Sequence, residues 1–172
     1  MSHKVGSINQ DLHVYIAQKE DMKSVLHLLK GVTTWLKKSR LKQWEFLDQD
    51  EEDPEVRQSV EDGATFVVKE GDEIIATFTL NEMQTPWDKN IWGQSSEDAF
   101  YMHRLSVDYD HIGRGLGRPI VEWMEAYTKT QGMRRIRLDC VESNKKLNQI
   151  YKGFGYDYKG TNHGHCRYEK IL

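Results

Sequence analysis

A chain of 172 residues is long enough for one domain with a buried core, and with no run of about 18 apolar residues it offers no membrane span. Its 27 acidic and 24 basic residues give a formal net charge of −3, which argues against nucleic acid as a partner, because that requires a basic face. Cys140 and Cys166 lack metal-ligand spacing, and two cysteines in a chain of this size fit a reducing cytoplasmic setting.

Residues 1–10 are polar, lack the apolar core of a secretory signal, and are expected to be loose. Leu12–Ala17 alternates like a strand. Glu20 and Asp21 then open a helix whose apolar positions Met22, Val25, Leu26, Leu29, Val32 and Leu36 recur at helical spacing. Trp35–Trp44 is basic and Asp48–Asp53 strongly acidic, and a short helix is predicted over Pro54–Asp62. Ala64–Lys69 and Glu73–Leu80 flank the turn Glu70-Gly71-Asp72 and read as a hairpin. A loop carrying Pro86, Trp87, Trp92 and Gly93 leads to a strand over Ala99–Val107.

A helix then puts Leu116, Ile120, Trp123, Met124 and Tyr127 on one face, with Pro119 tolerated in its first turn and Gly132 ending it. Arg135–Val141 alternates again, and Cys140 shares parity with Ile136 and Leu138, as a buried core thiol would. A helix from Asn144 and strands over Tyr156–Thr161 and His165–Ile171 close the chain. No repeat or linker interrupts it, so residues 1–172 are expected to form a single domain.

The stretch from Leu105 to Arg118 carries the chemistry. It runs from a strand into Gly113-Arg114-Gly115-Leu116-Gly117-Arg118 and opens a helix. Glycines let a ligand approach the backbone, and the helix N-terminus aims its N–H groups and positive dipole end at the same spot. With Arg114 and Arg118 adding charge, a phosphorylated ligand is expected. A Walker loop is excluded, since Gly117 is followed by Arg118-Pro119 rather than Lys-Ser/Thr. The dinucleotide fingerprint fails too, because its sixth place, counted from Gly113, is Arg118. The plainer alternative is a flexible loop before a helix, with no ligand.

Gly113-Arg114-Gly115-Leu116-Gly117 resembles the acetyl-CoA pyrophosphate loop of the GNAT superfamily of N-acetyltransferases, whose core is Arg/Gln-x-x-Gly-x-Gly/Ala. Asn144 through Tyr151 to Gly155-Tyr156 resembles the second signature of that family. The resemblance runs from Ala99 to Tyr158 and is only topological before that. It departs at Ile112, which occupies the Arg/Gln place and removes one side-chain contact. The implied fold is α/β, with a mixed, mostly antiparallel sheet splayed between its fourth and fifth strands and flanked by about four helices. The implied ligand is acetyl-CoA, with no metal. It would be held by Leu105, Ser106, Val107, Ile112, Gly113, Arg114, Gly115, Leu116, Gly117, Arg118, Asn144 and Tyr151.

The strand before the loop carries its own signal. Phe100 and Met102 share one parity, Leu105 and Val107 the other. That switch fits either a β-bulge near His103–Arg104 or a strand buried on both faces, and the resemblance favours the bulge. Direct transfer to an amine then needs an oxyanion donor, an acid and a base. The resemblance implies the Leu105 backbone N–H as donor and Tyr151 as the acid that protonates the thiolate. Tyr151 can equally be a helix-end aromatic packed on the core, and Asn144 either a pantetheine ligand or a helix N-cap. His103 is a candidate base, because arylalkylamine N-acetyltransferases have a histidine at the matching place and an imidazole titrates in the useful range. Glu82, at a strand end, is its rival. His163 and His165 have metal-like proximity but no carboxylate or thiolate partner at metal-ligand spacing, and read as surface residues.

In the implied fold the acceptor pocket draws on the first two helices, the loop between them and the loop before the fourth strand. Those segments hold Trp35, Trp44, Phe46, Trp87 and Trp92, with carboxylates at Asp48–Asp53 and Glu82. Some of these tryptophans are ordinary core. Trp35, Trp44, Glu82 and Trp87 are the substrate-binding candidates, suited to a small-molecule primary amine. Acetylation of a protein or peptide N-terminus and a non-catalytic CoA-binding regulator stay open, and a homodimer is compatible with the sequence.

Overall fold

The computed structural model describes residues 3–38 and 53–172, the side chains of 33–38 excepted. In chain order these form β1 (His3–Ser7), β2 (Leu12–Ile16), α1 (Met22–Lys38), α2 (Pro54–Glu61), β3 (Thr65–Glu70), β4 (Glu73–Asn81), α3 (Pro86–Trp92), β5 (Ala99–Val107), α4 (Gly117–Thr130), β6 (Arg135–Val141), α5 (Lys145–Gly153), β7 (Asp157–Asn162) and β8 (His165–Ile171). The strands make one sheet in the order β1-β2-β3-β4-β5-β6-β8-β7. Every neighbouring pair is antiparallel except β5–β6.

Strand alternation sorts side chains onto two layers. One face carries Phe66, Val68, Phe78, Phe100, Met102, Ile136, Leu138, Cys140 and Tyr168, packed under Ile120 and Met124 of α4 and Tyr151 of α5. The other carries Val67 against Val25 and Leu29 of α1 and Val56 and Val60 of α2. Helix α3 packs on that second face, where Trp92 meets Tyr101 edge-on and covers the guanidinium of Arg137 at 4.9 Å.

Two expectations are corrected. Residues 3–7 are not loose: β1 pairs with β2 from His3 opposite Ile16 to Ser7 opposite His13, and Asn9 Oδ1 closes the turn by accepting from the Asp11 and Leu12 backbone. The stretch before the fourth predicted strand is not all loop, because α3 forms within it. Thr85-Pro86-Trp87-Asp88 is a capping box with proline at the first helical position. The Asp88 carboxylate accepts from the Thr85 backbone at 2.9 Å, and Thr85 Oγ1 accepts from the Asp88 backbone at 3.2 Å. The described residues therefore hold five helices rather than four.

The sheet parts where the resemblance implied. Parallel pairing of β5 with β6 stops after Ala99–Arg135, Phe100–Ile136 and Tyr101–Arg137. Beyond Tyr101, β6 continues with β8 while β5 stays with β4. On β4, Thr77 and Thr79 are two positions apart, whereas their partners Ser106 and His103 are three apart, so β5 carries one extra residue. Arg104 absorbs it with a φ of 52°. A left-handed non-glycine residue costs about 1–2 kcal/mol, and the bulge bends its strand away from the neighbour. The Arg104 guanidinium reaches Glu55 of α2 at 2.8 Å.

Gly6 tests the docking of β1. A Cβ built there would meet Nε1 of Trp123 at 2.6 Å, and that indole is already held by Phe66, Phe78 and Tyr127. Gly6→Val is expected to destabilise the fold by about 1–3 kcal/mol, the usual cost of overpacking, read from the urea midpoint. An unchanged midpoint would mean that β1 contributes nothing to stability.

Candidate active site

The gap between β5 and β6 is flanked by different chemistry on its two faces. On the α4–α5 face the glycine loop descends from a 3-10 turn at Tyr109–His111 into α4. Gly113 and Gly115 have φ of 96° and 69°, and a Cβ at either would meet nothing within 4 Å. The loop thus needs glycine for its backbone and leaves open space in front of it. Helix α4 begins behind Leu116, whose side chain offers no cap, and its first turn holds no acid. Its leading N–H groups and positive dipole end suit a pyrophosphate.

The two loop arginines are already engaged. Arg114 bonds Glu70 at 2.8 Å and 3.3 Å and His111 at 2.7 Å, which ties the loop to the β3–β4 hairpin and lowers the Glu70 pKa. Arg118 lies over the Phe154 ring and donates to the Gly153 carbonyl. Ile112 is exposed, Leu116 and Ser106 are buried, and Leu105 and Val107 pack partly against the core.

Tyr151 sits on this same side, buried among Phe154, Tyr156 and Tyr168. Burial is the main reason its phenol is pushed far above the usual range, with the adjacent Cys140 and Asp139 adding to it. It is a protonated phenol beside the part of β6 that has left β5. Asn144 caps α5 by accepting from the Leu147 backbone at 3.1 Å. Asn148 locks that helix to β6 through the Val141 and Asn144 carbonyls and accepts from Tyr168 at 2.6 Å.

The opposite face gathers ionisable groups. His103 Nε2 lies 3.0 Å from Oδ1 of Asp88, a carboxylate whose side chain is 1% exposed. Asp139 of β6 accepts from Trp87 Nε1 at 3.2 Å through either oxygen and lies 3.0 Å from His165 Nδ1. Trp87 meets the His165 ring edge-on at 4.8 Å. One ligand-capable atom from each of Asp88, His103 and Asp139 falls within 4.8 Å of the others. Two carboxylates that close repel by roughly 3 kcal/mol at an effective dielectric of 20, so the cluster favours a cation between them.

Of the predicted residues, His103 and Trp87 lie on the α3 face around Asp88 and Asp139, with the bulge at Arg104 next to His103, and Tyr151 lies on the α4–α5 face. Glu82 is exposed just past β4. Trp35 lies on α1, and Trp44 lies outside the described residues. His165 is not a surface residue: antiparallel pairing sets it opposite Val141, two residues along β6 from its partner Asp139, which sequence spacing could not show. Asp88 and Asp139 were missed. The capping box was legible and would have found the helix that carries Asp88; Asp139 had only its strand parity.

Residues 29–156 match the model of the Acetyltransferase (GNAT) family. The chain is 33% identical over 155 residues to YesJ of Bacillus subtilis (strain 168), named an uncharacterized N-acetyltransferase, covering 89% of this chain and 86% of that one. It superposes on a GNAT-family acetyltransferase from Listeria monocytogenes with a TM-score of 0.84, at 26% identity over 99% and 100% of the two chains. RimL, a ribosomal L7/L12 alpha-N-protein acetyltransferase solved with coenzyme A, aligns with a TM-score of 0.69 at 16% identity over 96% of each chain. No described helix is long and apolar enough to cross a membrane.

Burial also pushes the Cys140 thiol from 9.0 up to about 12, with Cys166 and Asp139 adding to it. Cys140 and Tyr151 keep their protons in the fold at pH values where the unfolded chain, titrating near 9.0 and 10.0, releases them. Their contribution to stability is fully present below those values and is lost as pH rises above them. The thermal midpoint is expected to hold to pH 9 and fall above it, and the fall should be shallower in Cys140→Ala. An equally steep fall in that variant would assign the alkaline loss to other groups.

Proposed function

The chain belongs to the Acetyltransferase (GNAT) family and is an acetyl-CoA-type N-acetyltransferase, and on that premise we propose that it acetylates the primary amine of a small molecule by direct attack. The observation that carries this reading is the gap between β5 and β6, with the Tyr151 phenol on one face and His103 among carboxylates on the other.

The glycine loop and the start of α4 would hold the pyrophosphate through backbone N–H groups, as the open space before Gly113 and Gly115 allows. The β5 edge past Tyr101 has no strand opposite it among the described residues, so backbone groups near Leu105 can receive the pantetheine arm and the developing oxyanion. Acetyl-CoA supplies the thioester carbonyl when bound. His103 takes one proton from the acceptor's ammonium, freeing the lone pair that attacks. As the C–N bond forms and the C–S bond breaks, Tyr151 gives its proton to the departing sulfur. A second nitrogen proton returns to Tyr151 through solvent. The balance is ammonium plus acetyl-CoA giving amide, free thiol and one released proton. A phenol is protonated at working pH even at its ordinary value, and burial, which disfavours the phenolate, calls for prompt return of the proton that Tyr151 gives.

The likeness to RimL supports a second acceptor class, a protein N-terminus. A panel of small primary amines and short peptides, read by release of free CoA thiol, tests the choice. Turnover confined to peptides would overturn the small-molecule reading.

Gly115→Val should leave the fold intact apart from the strain of its positive φ, because a Cβ there meets no atom of the protein. Acetyl-CoA binding, measured calorimetrically, should be lost; wild-type affinity would remove the phosphate-loop role. Tyr151→Phe should lower kcat by roughly 10²–10⁴-fold with little change in the acetyl-CoA Kd. Wild-type kcat under conditions where chemistry limits the rate would move the acid elsewhere.

A further inference from the structure

We propose that Asp88 and His103 form a proton-accepting dyad and that Asp139 is its anionic counterpart, so that the acceptor is received as an ammonium ion between them. The inference rests on the acetyl-transfer reading for its purpose but not for its test.

Asp88 is a positioning residue by construction. Its Oδ2 is occupied by the Thr85 backbone N–H and the Thr85 hydroxyl, each at 2.9 Å, in the capping box that starts α3. The same Oδ2 bonds His103 Nε2 at 3.3 Å, and Oδ1, buried with no hydrogen-bond partner of its own among the described residues, lies 3.0 Å from that nitrogen. A carboxylate can only accept there, so the imidazole must carry its hydrogen on Nε2. The other nitrogen, Nδ1, has no hydrogen-bond partner among the described residues and is left as the base. The same logic, a buried carboxylate selecting the tautomer of a working imidazole, is general to His–Asp pairs.

Asp139 completes the site from the far side of the gap. It stands on β6 two residues past Arg137, the last of that strand to pair with β5, and its side chain lies on the α3 face against Trp87 and His165. Trp87 and His165 hold its orientation, while its oxygen and that of Asp88 converge on His103 within 4.8 Å. The titratable groups around His103 are thus Asp88 from α3 and Asp139 from β6, with His165 of β8 behind Asp139. From β4 the facing residue is the neutral Thr79, and Arg104, next to His103 on β5, is paired with Glu55 of α2. An uncharged amine leaves two close carboxylates unbalanced; an ammonium ion answers both, and transfer of one of its protons to Nδ1 leaves an imidazolium against Asp88.

Methylammonium is the smallest primary ammonium and serves as the probe. It is titrated into CoA-saturated protein with sodium chloride as the ionic-strength control, and the imidazoles are followed by long-range nitrogen–proton NMR correlation. The expected spectrum shows His103 with its hydrogen on Nε2, and His103 signals that move saturably with methylammonium but not with sodium. Asp139→Asn should abolish the saturable shift. Asp88→Asn, in which the side-chain oxygen can still cap Thr85, should mix the two tautomers. A His103 hydrogen on Nδ1 in the native protein, or no saturable shift, would overturn the proposal, and neither reading requires a variant. Because no turnover is involved, saturable binding without any amine acetylation would sink the transfer reading alone.

Discussion

Everything distinctive about this molecule follows from one extra residue in β5. Arg104 enters a left-handed conformation that a non-glycine residue adopts at a cost, three residues past Tyr101, beyond which β5 keeps its hydrogen bonds to β4 while β6 continues with β8. An unpaired strand edge inside a sheet is normally a liability, since its N–H and C=O groups lack partners. Here the β5 edge past Tyr101 is left without β6 opposite it, where an extended ligand would take the place of a strand. The ion pair from Arg104 to Glu55 anchors the bend to α2, so the strain is held by a second element and not left to the strand.

The gap divides the chemistry by face. The side under α4 and α5 is apolar, and burial there raises the Tyr151 phenol and the Cys140 thiol, so both are proton holders. The side under α3 is ionic, with Asp88, His103, Asp139 and His165 within reach of one another and Trp87 as a lid on the outer pair. The Tyr151 phenol and the His103 imidazole thus stand on opposite faces of one opening. The proposed transfer, which delivers a proton to sulfur and removes one from nitrogen, would use that separation.

The glycine loop shows the same economy. Gly113 and Gly115 are required by their positive φ, and the space before them is open. Leu116 stands where a capping side chain would otherwise satisfy the first turn of α4. Arg114 is drawn aside to Glu70, so the loop is braced by its charged side chain and presents its backbone. With Ile112 at the Arg/Gln place, the proposed pyrophosphate site would rest mainly on backbone N–H groups.

How much of this could be read beforehand depends on the range of the interaction. Local signals were legible: the glycines, the parity switch from Met102 to Leu105, the helix cap at Asn144, the hydrophobic faces of α1 and α4. Strand β1 escaped because His3–Ser7 is polar and its stability comes from pairing with β2 and from Gly6 against Trp123. Helix α3 escaped although its capping box was present, because seven residues give no periodicity to read. What the amino-acid order determined by itself was the fold class, the glycine loop and the bulge, all set by backbone preference over a few consecutive residues. What only the tertiary structure decided was the company His103 keeps. Asp88 and Asp139 stand 15 positions before it and 36 after it. No local propensity links them; they meet because β6 diverges from β5 while α3 folds back across the opening.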